Sequence, residues 1–177
     1  RHCKVVKEIL GENFEGVINC DGWETYKTYK DCNDNILLQR CWAHPIREVE
    51  ALAEKHDEIK PIHKWFQNIF VKVCKARESG KSSYQRKKLK EKCEEELRQW
   101  LDVTESYKEL ETVRTKIENG FDHWFTCIIH PEVEPTNNRA ERMLREQVVL
   151  RKIIGTLRNE KGTTANEVMM SLITTWK

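Results

Sequence analysis

Gly16-Val17-Ile18-Asn19-Cys20-Asp21-Gly22 is the stretch on which the fold turns. A short apolar run that halts at an Asp-Gly pair reads as a buried strand followed by a chain reversal. Working outward, Trp23 to Tyr29 is expected to form a short helix, and Ile36-Leu37-Leu38-Gln39-Arg40-Cys41-Trp42 a second strand. Upstream, residues 4–10 carry the last turns of an amphipathic helix closed by Gly11. Downstream, Pro45 opens a helix running to about Lys55, in which Ile46, Val49, Leu52 and Ala53 repeat at helical spacing. Short strands first and many helices later specify an α/β domain interrupted by a helical insertion.

The insertion is expected between Asp57 and Glu118. Ile62, Trp65, Phe66, Ile69, Phe70 and Val73 form an apolar stripe at steps of three and four, broken by residues 78–83. A second stripe runs through Leu89, Cys93, Leu97, Trp100 and Leu101, then Tyr107, Leu110, Val113 and Ile117. Two such stripes predict an antiparallel helical hairpin. The basic run Arg86-Lys87-Lys88-Leu89-Lys90 and the acidic run Glu94-Glu95-Glu96 read as a solvated face. Beyond Gly120, residues 121–129 are aromatic and fit no single element, and Pro131 to Pro135 is a loop. A helix then runs from about Arg139 to Leu150, followed by a loop or hairpin around Gly155 and Arg158 to Gly162. Ala165, Val168, Met169, Leu172, Ile173 and Trp176 mark a closing amphipathic helix.

At 177 residues the chain is long enough for one domain, or one domain with an insertion, to bury a full core without disulfides. Six Trp, five Phe and four Tyr supply core material, which excludes disorder. No apolar run reaches the roughly 20 residues that cross a bilayer, so a membrane role is not expected. Seven Cys, an odd number with no Cys-x-x-Cys pair, read as reduced and mostly buried thiols of a cytosolic protein. Lys plus Arg (31) nearly balances Asp plus Glu (29), so only local charge clustering can indicate a partner.

Four groups of residues could carry chemistry. Asp21 sits at the C-terminal end of a strand, where open α/β sheets hold ligands and metals; Asp-Gly is equally a favoured turn pair. Glu141 could be a helix-borne metal ligand, but Asn138-Arg139-Ala140-Glu141 also fits a variant capping box that would explain it structurally. Hard carboxylate oxygens suit Mg²⁺, and a pair of such ions can serve phosphoryl transfer. Between Arg139 and Lys161, seven basic residues against three acidic ones leave a net charge of +4. Arg139, Arg142 and Arg145 share one helix face, which suits a polyanion, although a solvated face with a Glu141–Arg145 pair suits it equally. Two Cys-x-x-His pairs, Cys41 with His44 and Cys127 with His130, could in principle assemble a tetrahedral zinc site. His44 alternatively orients a neighbour, contacts phosphate, or is a buried hydrogen-bonded histidine.

Three blocks together carry a resemblance: Cys20-Asp21-Gly22-Trp23 with Tyr26; Arg40-Cys41-Trp42-Ala43-His44 with Arg47; and Pro135-Thr136-Asn137-Asn138-Arg139-Ala140-Glu141-Arg142, continuing through Leu144-Arg145 to Arg151-Lys152 and Gly155. Over about residues 16 to 162 the chain resembles the catalytic domain of the IS66 family of bacterial insertion-sequence transposases, which carry a DDE-type active site. The resemblance implies a ribonuclease-H-like fold, its first part at 1–56, a helical insertion at 57–118, and a C-terminal part with the Glu-bearing helix at 119–177. It implies that Asp21 and Glu141 are the second and third acidic ligands of a two-metal Mg²⁺ or Mn²⁺ site. Arg139, Arg142, Arg145, Arg151 and Lys152 would grip the DNA backbone, with Trp42, His44, Asn137 and Asn138 in support. Implied partners are element-end and target DNA and further copies of the protein in a synaptic complex, in the cytoplasm at the nucleoid. The family's first Asp lies on a strand upstream of Asp21, and residues 1–15 read as a helix end. The chain is therefore expected to be a fragment lacking that ligand and the first strands, inactive in strand transfer, with an exposed sheet edge. The competing expectations are an inactive remnant that only binds DNA, and a zinc-stabilised helical interaction module.

Overall fold

A computed structural model describes residues 2–11, 13–22, 24–78, 80–155 and 159–175, with side chains at all of these except 2, 3, 146, 147, 151, 154 and 173–175. The protein is α/β and mostly helical. It divides into two compact units, Arg1–Asn137 and Asn138–Lys177.

The first unit opens with α1 (His2–Leu10), β1 (Gly16–Cys20), α2 (Glu24–Asp31) and β2 (Ile36–Arg40). The two strands pair in parallel, Gly16 with Ile36 through Cys20 with Arg40. A parallel pair cannot be closed by a hairpin, and α2 supplies the crossover that it requires. Val6, Tyr29, Ile36, Leu38 and Cys20 form a small core against which Leu10, Phe14, Ile18 and Tyr26 pack. The Tyr29 hydroxyl donates to the Gly11 carbonyl, and Asn33 Nδ2 donates to Phe14 O at 2.9 Å, fastening α2 to the chain entering β1. The expectation of a buried first strand needs correction. Val17, Ile18 and Asn19 are half-buried and only Cys20 is buried, whereas four of the five residues of β2 are buried. Among the described residues β2 is the sole strand paired with β1, so the other backbone edge of β1 is open.

The larger core begins at Trp42 and is built by α3 (Ala43–Ala53), α4 (Lys60–Ala76), α5 (Ser83–Val103), α6 (Glu111–Asn119) and α7 (Thr126–Ile129). Trp42 is fully buried, its ring 5.6 Å from Phe66, 5.3 Å from Trp124 and 5.7 Å from Phe125. The indoles of Trp42, Trp100 and Trp124 each donate to a carbonyl, of Trp124 (2.8 Å), Ile62 (3.2 Å) and Ile117 (3.0 Å) respectively. That satisfies the one polar atom each brings inside. The Asp57–Glu118 segment therefore shares one core with α3 and with residues 124–128.

The second apolar stripe is not one helix. Helix α5 ends at Val103, and after a short turn over 104–106 Tyr107 is extended at φ −97°, ψ 99°, while the buried Thr104 hydroxyl donates to Trp100 O at 2.7 Å. Periodicity alone cannot reveal such a break, since the apolar positions after it continue in step. The start of α5 is a capping box: Ser82 Oγ accepts from Gln85 N and Gln85 Oε1 accepts from Ser82 N. Arg86 also departs from the expected solvated face. It donates to the carbonyls of Ala76 (3.1 Å), Ile128 (3.3 Å) and Glu78 (3.3 Å), placing its charge at the carbonyl ends of α4 and α7.

The second unit consists of α8 (Asn138–Ile154) and α9 (Glu160–Thr175). Gly155 ends α8 with φ +75°, a left-handed conformation suited to glycine. Asn159 caps α9, its side-chain oxygen accepting from Gly162 N at 2.7 Å. Arg158 and Trp176 lie outside the described residues. No helix of the described residues is long and apolar enough to cross a membrane.

Candidate metal and nucleic-acid site

The parallel strands deliver two residue groups to one end of the sheet. Cys20 closes β1 and is followed at once by the exposed Asp21; Arg40 closes β2 and is followed by the buried Cys41 and Trp42. Cys41 N donates to Cys20 O at 2.9 Å, so the pairing continues one residue past β2. An exposed carboxylate at the carboxyl edge of a parallel pair, where the connections leave a crevice, is accessible to a cation. Its charge is felt locally: burial first, then the Asp21 and Cys20 charges, raise the Tyr26 phenol above its ordinary value. Cys20 is likewise raised by burial, with Arg40 opposing.

Residues 134–137 are fastened to this same edge. Asn19 Nδ2 donates to Glu134 O (2.7 Å) and Thr136 O (3.1 Å), Trp42 N donates to Pro135 O (3.0 Å), and Asn137 N donates to Cys41 Sγ (3.1 Å). Four hydrogen bonds from two strands thus hold the chain just before Asn138. Asn19 was not singled out in the sequence, although a polar residue inside an apolar strand was a signal that could have found it. Trp42 serves as the central ring of the helical core, and Cys41 as the acceptor for Asn137. His44 and Asn137 are half-buried, and Arg47 Nε donates to Ala43 O within α3.

In the second unit Glu141 lies in the first turn of α8 and is half-buried, as is Asn138. Arg139, Arg142, Arg145 and Lys152 are exposed, and the side chain of Arg151 lies outside the described residues. Each of the two carboxylates offers the hard oxygens that Mg²⁺ or Mn²⁺ takes. The Cys-x-x-His pairs do not fit zinc. Among the described residues Cys127 and His130 do not converge with Cys41 and His44. Burial pushes the Cys127 thiol up to about 12, the opposite of what a zinc thiolate needs.

The first unit thus presents an acidic residue at the carboxyl edge of a strand pair, and the second an exposed basic helix face with an early Glu. A family model described as Transposase IS66 family matches residues 1–165, and the chain belongs to that family. Neither the curated proteins nor the solved structures give a match. Membership of that family implies DNA binding and phosphoryl transfer in general.

Proposed function

We propose that this chain is part of a ribonuclease-H-like DDE catalytic domain in which Asp21 and Glu141 hold divalent metal, Mg²⁺ or Mn²⁺, for DNA cleavage and strand transfer. The observation that carries this reading is the fastening of residues 134–137 to the edge that bears Asp21. Glu141 follows Asn137 by four residues, a tether of at most about 14 Å even when fully extended. A divalent ion, when bound, activates the attacking oxygen and stabilises the leaving one. Asp21 and Glu141 supply carboxylate oxygens to it. Arg139, Arg142, Arg145, Arg151 and Lys152 neutralise backbone phosphates and set the register of the strand. The attacking group is first water and then a freed DNA 3′-hydroxyl. Residues 57–118 form a helical insertion between the two parts of the catalytic core, at 1–56 and 119–177. The active species is a self-associated complex on element ends and target DNA, in the cytoplasm at the nucleoid.

A transposition assay in cells tests the reading. Asp21→Asn and Glu141→Gln, each placed in the intact transposase, are expected to reduce transposition to background while DNA binding persists. Transposition at the unsubstituted rate with either change would overturn the metal-ligand assignment.

A further inference from the structure

We propose that the Arg40 guanidinium is an oxyanion-binding group that receives one phosphate of a DNA strand lying across the carboxyl end of β1 and β2. The inference rests on the DNA-directed reading above, but on a cation that it did not assign.

Arg40 is only 6% exposed, and its Nε is buried without a hydrogen-bond partner. Other arginines of the same unit reach backbone carbonyls, Arg77 that of Pro131 and Arg86 those of Ala76, Glu78 and Ile128. The Arg40 guanidinium reaches no acceptor among the described residues, and no described carboxylate forms an ion pair with it. Its slot is framed by two glycines. A Cβ on Gly22 would stand 2.2 Å from Arg40 Nη1, and one on Gly120 would stand 2.9 Å from Nε. Gly22 has φ +107°, so the turn that carries Asp21 also makes room for the cation.

The charged groups around it are Lys27 and Lys30, with the carboxylates of Asp21 and Asp122 opposing them. His123, in the short helix after Gly120, has its pKa lowered by burial first and then by Arg40, with Lys30 and Lys27 adding to the effect and Asp122 opposing it. A buried guanidinium with two lysines and a histidine nearby is unfavourable until an anion arrives. The planar fork of Arg matches a phosphate bidentately. Cys20, the register partner of Arg40, immediately precedes the exposed Asp21, so a phosphate here would lie at the strand ends beside the proposed metal ligand.

His123 reports on the site in the unmodified chain. Its imidazole is titrated by NMR without metal, alone, with inorganic phosphate, and with a short single-stranded oligonucleotide. Bound DNA should offset the field of Arg40 and move the His123 titration to higher pH. Arg40→Met should raise it without DNA and remove the response. The same substitution should weaken DNA binding roughly tenfold or more, the scale of one lost charge-assisted contact, and flatten the salt dependence by about 0.7 per phosphate released from a single strand. Failure of DNA to move His123 overturns the proposal even if Arg40→Met does not fold. A response to inorganic phosphate alone overturns the assignment to DNA. DNA binding with an unchanged salt slope in a folded Arg40→Met variant sinks the Arg40 site and leaves the transposase reading standing; no DNA binding at all sinks that reading itself.

Discussion

Gln39 is fully buried in β2 and joins the small α/β core to the helical core. Its Nε2 donates to Arg40 O (2.7 Å) and Trp124 O (3.1 Å), while its Oε1 accepts from Cys127 N (2.7 Å) in the first turn of α7. Gln39→Leu removes all three bonds. Trp124 O keeps the Trp42 indole, but Cys127 N–H is left buried near a helix start, where no intrahelical acceptor exists. One orphaned buried amide costs about 1–3 kcal/mol, and loss of the bond to Arg40 O adds to it. The expected destabilisation is about 2–4 kcal/mol, read from urea unfolding followed by tryptophan fluorescence. Gln39→Glu separates polarity from hydrogen bonding: the carboxylate can accept from Cys127 N but faces two carbonyl oxygens as a second acceptor. Burial there raises the folded-state pKa of the new carboxyl above its unfolded value of about 4.3. The folded state then binds more protons above that pH, so the penalty must grow as pH rises from about 4.3 through the folded-state pKa. Losses below about 0.5 kcal/mol for both variants, or a glutamate penalty that shrinks with rising pH, would refute this account of the joint.

Arg86→Met should cost about 1.5–3 kcal/mol in the same assay, the scale of hydrogen bonds from a charged group, whereas Lys87→Met, on an exposed side chain, should change little. Alkylation of the native protein near pH 8 should label Cys32, which is exposed, and spare Cys93 and Cys127, whose thiols burial pushes up to about 11 and about 12; rapid native labelling of Cys127, found by mass spectrometry, would contradict the packing of α7. His123 has its folded-state pKa depressed, so its contribution is complete above the unfolded value of about 6.5 and is lost as pH falls from there through the folded value. His123→Gln should therefore flatten the fall in stability below that pH, and an unchanged pH profile would show that His123 is not the group responsible.

The strand ending at Asp21, the second strand and the helices around Pro45 and Ile62 were legible because apolar spacing and the Asp-Gly turn act locally. The end of α5 at Val103 was not, since Tyr107 turns extended while the apolar rhythm continues through Leu110, Val113 and Ile117. Arg86 looked like one member of a basic surface run; its role depends on two helix ends, Ala76 and Ile128, that only the fold brings together. The half-burial of β1 was likewise hidden, because an apolar run states what could be covered and not what covers it. At the site, Asp21 was singled out by its place after a strand, and Trp42 and the Asn137 segment by the family resemblance. Asn19 and Arg40 act through long-range contacts, with residues 134–136 and with Gly120, that no spacing rule encodes.

Iron-directed cleavage of the polypeptide tests the shared metal site most directly. Fe²⁺ bound in place of Mg²⁺ generates hydroxyl radicals with ascorbate and peroxide, and these cut the backbone beside each ligand. The account predicts two sets of cuts, near Asp21 and near Glu141, suppressed together by Mg²⁺ and abolished at both places by either Asp21→Asn or Glu141→Gln. Cuts confined to one of the two segments, or surviving at one when the other ligand is removed, would contradict it.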